Sequence, residues 1–181
     1  SIVLDIFRET SPHLAQINVE FPYPNASEFQ QYCREHGIHL FLTQEFITSF
    51  GNWIAQNILT SGNRRILEVG AGSGHLSQSL IAYLKSQGYD FNWVASDVVA
   101  HPHNGVVGLD YCQALLENPD LVICSWPPPY TDWTDQFRLH QVPHYVVIGD
   151  PNDGLSGNAR TWCPQLASGQ ASEGYVKTDL I

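Results

Sequence analysis

Three glycines at alternate positions, Gly70, Gly72 and Gly74, follow directly on Glu68 and Val69 and open into a helix-like run that starts at His75. This is the chemistry of a ligand-holding turn. Glycine enters the φ > 0 region without a Cβ clash, so the main chain there can turn sharply and approach a bound molecule closely. A helix start behind the turn offers unpaired N–H groups and the positive end of a dipole, and Glu68 offers a carboxylate acceptor. A second acceptor, Asp97, lies about 20 residues beyond the turn, where a carboxylate at a strand end grips ribose hydroxyls. A third group is the loop that begins at Ser125 and reads Trp126-Pro127-Pro128-Pro129-Tyr130 before Trp133. Its prolines stiffen the chain, and its aromatic faces suit a flat or amine-bearing partner.

These residues need a parallel sheet to bring them together. Ile66, Leu67 and Val69 form a short apolar run of the kind buried in such a sheet. Phe91, Trp93, Val94 and Ala95 give a second strand ending at Asp97, residues 106–110 a third, residues 120–125 a fourth and residues 145–150 a fifth. Between the first two, Leu76, Leu80, Ile81 and Leu84 mark a helix with Gly88 as its stop. Residues 113–117 are helix-like before the fourth strand. Upstream, Asn25 or Ser27 caps a short helix through Glu35, and Thr43 caps a second whose Phe46, Ile47, Phe50, Trp53, Ile54 and Ile58 recur at helical spacing. Residues 41–50 of that segment are also candidates to line the ligand cleft. Residues 157–174 read as polar loop around Trp162, and a sixth strand is expected to begin at Tyr175. The expected fold is thus an α/β, doubly wound, mostly parallel sheet with strand order 3-2-1-4-5. A helical extension over residues 1–62 precedes a core over residues 63–181.

Glu68-Val69-Gly70-Ala71-Gly72-Ser73-Gly74 resembles the first motif of the Rossmann-like, class I S-adenosylmethionine-dependent methyltransferases, E/D-x-G-x-G-x-G. The resemblance covers about residues 41–150. It implies S-adenosyl-L-methionine as cofactor, held by Glu68, Gly70, Ala71, Gly72 and Gly74, with Asp97 and its neighbour Val98 on the ribose and adenine side. In that family a residue ending the third strand meets the adenine amino group and its neighbour packs on the ring, which points to Asp110 and Tyr111. The loop after the fourth strand is similar to the (N/D/S)-P-P-(Y/F/W) motif of amino-group methyltransferases, so Ser125, Trp126 and Tyr130 are the implied acceptor-site residues, with Ser125 also beside the cofactor. The match departs at one place. Aligned on Pro128-Pro129-Tyr130, the polar position holds Pro127, and Ser125 sits two residues early. The family's sheet ends in an antiparallel strand for which no clear candidate remains here.

Composition narrows the partners. A chain of 181 residues with 43% hydrophobic content has the size of one domain with a core of its own. Its formal charge of −10 repels a phosphate backbone, so no broad nucleic-acid surface is expected, and a small molecule or a protein side chain is the expected substrate class. No apolar run is long enough to span a bilayer, no signal pattern opens the chain, and an intracellular, cytoplasmic setting is expected. The four cysteines, Cys33, Cys112, Cys124 and Cys163, form no C-x-x-C pair and read as buried free thiols. His101-Pro102-His103 lacks a spaced third ligand, so no metal is expected. The absence of any Met suggests a piece of a longer chain. Oligomeric state is not written in the sequence.

Several functions stay open at this point. Methyl transfer is an in-line displacement that needs alignment and obliges no general base, so the acceptor leaves little trace in the sequence. A binding module that keeps the fold and has lost its target site is one alternative. Aminopropyl transfer is another. A nicotinamide-dependent oxidoreductase is disfavoured because His75 occupies the third glycine position of G-x-G-x-x-G, and a P-loop is disfavoured because no Lys follows the glycines.

Overall fold

A strand whose side chains are apolar on both faces is stable only inside a sheet that is covered on both sides. The strand β1 (Arg64–Val69) meets that condition, with Ile66, Leu67, Glu68 and Val69 all buried. It pairs in parallel with β2 (Phe91–Asp97) on one side and β4 (Leu121–Ser125) on the other. The strands β3 (Val106–Gly108) and β5 (His144–Ile148) add outside them, again in parallel, giving the order β3-β2-β1-β4-β5. This is the anticipated α/β architecture, with the order reversing at β1. The computed structural model describes residues 42–149, 156–163 and Tyr175. The chain divides into two compact units, Ser1–Phe46 and Ile47–Ile181, and the sheet belongs to the second. The helix expected before Glu35 and the strand expected beyond Tyr175 lie outside the described residues.

Helices cover the two faces. On one, α3 (Tyr111–Leu115) and α4 (Thr134–Leu139) bring Ala114, Leu115 and Phe137 onto Leu67, Val69, Val122 and Cys124. On the other lies α2 (His75–Ser86), whose Ser77 bonds to Glu68 and Trp93. The helix α1 (Gln44–Asn57) is capped as expected, with the Phe46 N–H donating to Thr43 Oγ1 at 3.1 Å. Its Ile47, Phe50 and Ile54, with Ile58 beyond the helix, are buried. Tyr83 of α2 donates to Asn52 Oδ1 at 2.8 Å, and its ring lies where a side chain at Gly51 would stand. α2 stops at Gly88 (φ 82°), where the Tyr89 N–H reaches Leu84 O and the Gly88 N–H reaches Lys85 O, a Schellman closure.

Some boundaries differ from the sequence reading, each for a local reason. β3 ends at Gly108, because the next N–H, that of Leu109, turns to Asp97 O at 3.0 Å. α3 starts at Tyr111 and not Gln113, because Asp110 and Gln113 form a reciprocal capping box. The short α5 (Ala159–Trp162) falls in the stretch read as loop, and α4 in residues given no element from the sequence. Cys112 is exposed and Cys163 half-buried, so only Cys124 of the described cysteines fits the buried-thiol expectation.

The link from β2 to β3 carries no α-helix, only a single 3-10 turn (Pro102–Asn104). Parallel strands usually need a longer crossover. This one folds back onto the glycine turn, with Asn104 Nδ2 donating to Ser73 O at 2.7 Å and His101 pairing with Val106. The close approach explains Gly74, which sits at φ 80° where a Cβ would stand 2.6 Å from Val106 Cγ2. Gly74→Ala combines left-handed strain with overlap, and it is expected to lower stability by about 1–3 kcal/mol, read as a fall in the thermal midpoint.

Candidate functional site

All five parallel strands end at one edge, and the singled-out residues gather in the loops there. The glycine turn is left-handed at Gly70, Gly72 and Gly74, with φ of 64°, 53° and 80°. Asp97, at the end of β2, holds it in place. Its Oδ2 accepts the Gly72 N–H at 2.9 Å and its Oδ1 accepts the Val99 N–H at 3.0 Å. The Ala71 N–H donates to Ser96 O at 2.9 Å, a second tie from the turn to β2. A Cβ built on Gly72 meets nothing within 4 Å, so the main chain there is open to a ligand. Val98, directly after the Asp97 clasp, is 78% exposed.

Glu68 lies on the far side of this turn, 1% exposed in the middle of the sheet. Its carboxylate accepts from the Ser77 hydroxyl, and Ser77 Oγ in turn accepts from Trp93 Nε1 at 2.6 Å. Burial pushes the Glu68 carboxyl up to about 7; the Ser77 hydroxyl and N–H oppose the shift, and Asp97 adds a smaller push upward. Cys124, on the neighbouring strand, is pushed up by burial and by Glu68. Sequence reasoning marked Glu68 but missed Ser77 and Trp93, whose pairing depends on how α2 lies on the sheet.

The end of β3 supplies Asp110 and Tyr111 at the start of α3. Asp110 Oδ1 accepts the Gln113 N–H at 3.0 Å, a helix-capping role. The Tyr111 ring stacks on Trp133, with centroids 4.5 Å apart and planes 9° from parallel. Burial, with the adjacent Cys112 thiol, pushes the Tyr111 phenol up to about 12. Trp133 also covers the glycine turn, its ring 3.0 Å from where a Cβ on Gly70 would stand. The structure thus brings Gly70, Tyr111 and Trp133 into one cluster.

The proline loop is held differently. Trp126 and Tyr130 both adopt positive φ, 54° and 65°, a conformation that bulky residues keep only when their surroundings enforce it. The enforcing contacts come from residues 156–163, read from sequence as loop. Gly157 N–H donates to Pro127 O at 3.0 Å, and Tyr130 N–H donates to Gly157 O at 2.8 Å. Thr161 Oγ1 reaches Thr131 O and Asp132 Oδ1, both at 3.2 Å. Asp132 also accepts from Thr134 and pairs with Arg138 at 3.2 Å, the Arg138 side chain being 0% exposed. Pro128 O accepts both the Thr131 hydroxyl at 2.7 Å and the Thr131 N–H at 3.4 Å. The Tyr130 ring is 85% exposed, and Trp126 is half-buried. Ser125, half-buried at the end of β4, makes no side-chain hydrogen bond among the described residues.

Among the described basic side chains, Arg64 and Arg65 open β1 at the opposite edge, Lys85 lies in the last turn of α2, Arg138 is matched by Asp132, and Arg160 is exposed on α5 beside the proline loop. Among the described residues, no group of three or more His, Cys, Asp and Glu side chains is placed to hold a metal ion, and no helix is long and apolar enough to cross a membrane. Compared with known proteins, the chain matches no family model and no curated protein.

Glu68 makes folding pH-dependent with a defined sign. Its folded value of about 7 exceeds its ordinary 4.5, so between these values the folded state holds a proton that the unfolded state has released. Stability therefore falls as pH rises through that window. Glu68→Gln is expected to remove that slope, worth up to about 3 kcal/mol, as read from denaturant unfolding at pH 5 and pH 7.5, roughly the ends of the window.

Proposed function

We propose that the chain binds S-adenosyl-L-methionine at the turn formed by Gly70, Gly72 and Gly74 and is a methyltransferase acting on a small molecule or a protein side chain. The observation that carries this reading is the turn itself, open at Gly72 and clasped by an Asp97 carboxylate at the adjoining strand end. Each Asp97 oxygen accepts one backbone N–H and keeps a lone pair with which to accept a ribose hydroxyl. The exposed Val98 side chain supplies an apolar face for a purine, and Asp110 and Tyr111 stand at the end of the next strand. The bound cofactor supplies a methyl group on a cationic sulfur. The chain's part is to fix that cofactor, exclude water and align a nucleophile.

The same residues fit a nicotinamide dinucleotide poorly. The dinucleotide fingerprint G-x-G-x-x-G needs its third glycine for close packing of helix on strand, and His75 stands at that position. Aminopropyl transfer uses a related cationic cofactor and is separated from methyl transfer by direct comparison of the two ligands. A non-catalytic binding module is the second reading, favoured by one observation. Pro128 O already accepts two hydrogen bonds, so it has no lone pair left to orient a target amine. An acceptor held at this loop then has to use the Ser125 hydroxyl and the ring of Tyr130.

Titration calorimetry with S-adenosylhomocysteine, S-adenosylmethionine, its decarboxylated form and NAD tests the cofactor assignment. The first two are expected to bind and NAD to fail. Asp97→Ala is expected to weaken S-adenosylhomocysteine by about 1.5–3 kcal/mol, the scale of hydrogen bonds to a charged group. Gly72→Val is expected to abolish binding and, because φ is 53° there, to lower the thermal midpoint by the equivalent of about 1–3 kcal/mol while the melt stays cooperative, its side chain meeting nothing within 4 Å. Unchanged affinity in both variants would remove the turn from the site. Catalysis is tested separately with labelled cofactor and cell extract: Tyr130→Ala is expected to abolish labelling and leave cofactor affinity nearly unchanged. If nothing is labelled while the cofactor binds tightly, the binding-module reading stands.

A further inference from the structure

We infer that Glu68 is the charge sensor of the glycine-turn site, a buried positioning residue that makes the site prefer a cationic ligand over a neutral one of the same shape. The inference rests on the cofactor reading above and deepens it, because the cationic methyl donor and its neutral-sulfur product differ by one methyl group and one charge. A hydrophobic contact with one methyl group discriminates weakly, by roughly 10- to 200-fold at best. A fixed or inducible charge nearby adds a second means of discrimination.

The geometry supplies that charge. Glu68 is one residue before Val69 and two before Gly70, so it lies directly behind the turn, and it is 1% exposed. Its hydrogen bond from Ser77 ties it to the first turn of α2, the helix that begins as the glycine turn ends. Trp93 Nε1 donates to the same hydroxyl and leaves the Ser77 proton directed at Glu68. Glu68 therefore cannot swing out to contact a ligand and acts through its field. Low surrounding polarity makes that field reach further than it would in water.

The groups that face Glu68 reinforce the effect. From β2, Asp97 raises its proton affinity; from β4, Ile123 is its apolar partner in register, and Cys124 on the opposite face of the sheet is a thiol pushed upward and so uncharged; from α2, Ser77 donates. Described basic side chains on the adjoining elements lie elsewhere, with Arg64 and Arg65 at the start of β1 and Lys85 at the end of α2. Burial holds the Glu68 carboxyl at about 7, poised between neutral and charged near physiological pH. A cation at the turn favours the ionised form, and a neutral ligand does not. By linkage, the sulfonium ligand gains more than the thioether one as pH rises through that value, because the α-ammonium is common to both and cancels in the ratio of their affinities. The histidines near the turn are His75 on the first turn of α2 and His101 and His103 in the β2–β3 link.

The test is the ratio of S-adenosylmethionine to S-adenosylhomocysteine affinity, measured by calorimetry on the full chain between pH 5.5 and 7.5 or roughly that span, across the titration of Glu68. The ratio is expected to rise at least about threefold in the wild-type protein. It is expected to become flat in Glu68→Gln and to keep its rise in His75→Gln. A flat wild-type ratio overturns the inference without recourse to any variant. A rise that survives Glu68→Gln, or disappears in His75→Gln, overturns it as well by assigning the effect to another group. Failure of both ligands to bind at every pH overturns the cofactor reading itself, and so distinguishes the two failures.

Discussion

The hydrogen bonds from the Gly72 and Val99 N–H groups to the Asp97 carboxylate are the interaction on which the carboxyl edge of the sheet depends. A parallel sheet ends all its strands on one edge, where the chain must reverse and its backbone donors lose their ladder partners. Asp97 meets both needs, since each of its oxygens takes one donor, from the loop after β1 and from the loop after its own strand. The β1 turn is thereby locked to β2. The β2–β3 link, without an α-helix to carry it across, closes over the same turn through Asn104 and Val106. The three glycines follow from this crowding and from the left-handed turn, and not from flexibility. Gly74 is hemmed in, whereas Gly72 faces open space, which is why the two positions have different physical meanings within one motif.

A second device organises the other side of the edge. Two aromatic residues with positive φ cost on the order of 1–3 kcal/mol each, so the loop from β4 persists in its form only because other contacts outweigh that strain. The Asp132–Arg138 pair anchors it to α4, and Gly157 and Thr161 clasp it from the tail. The pair is nearly closed to water, and removing one partner alone would leave an uncompensated buried charge at about 3–5 kcal/mol. The result is a rigid projection whose Tyr130 ring is presented to solvent while its carbonyls are turned inward. Rigidity in a loop at the carboxyl edge is what alignment of a reacting pair requires.

Much of this was legible in the sequence. The strands were visible because each buried apolar run is short and bounded by Gly, Pro or Asp. Gly70, Gly72, Asp97 and Tyr111 fall at strand ends, where sequence position alone places them at one edge. The rest was hidden for physical reasons. Thr134–Leu139 is too short to show a helical period, and its Thr134 and Arg138 form a readable pair only once Asp132 is known to lie beside them. The tail strap depends on Gly157 meeting Pro127, a contact between residues far apart in the chain. Asp110 was read for a ligand, and its position just before Tyr111 is also that of a helix cap; a capping box looks the same in the sequence as an acidic strand end.

Glu68 shows how stability and site chemistry pull against each other in this fold. Its neighbours along the strand are Leu67 and Val69, and its partners across the sheet are Ala95 and Ile123, so an apolar residue would fit the pattern at that position. A carboxyl there loses its hydration and regains only the Ser77 bonds, which is why burial outweighs hydrogen bonding in setting its proton affinity. A local rule broken at the centre of the best-formed strand, one step from a turn built for close approach, is where a functional residue is expected. The cost is contained because Ser77, itself held by Trp93 Nε1, donates to the carboxyl without a counter-charge. Among the described residues only Ser77 and the first turn of α2 answer its charge, and that balance of a carboxyl behind an open glycine turn is the basis of the cation preference we propose.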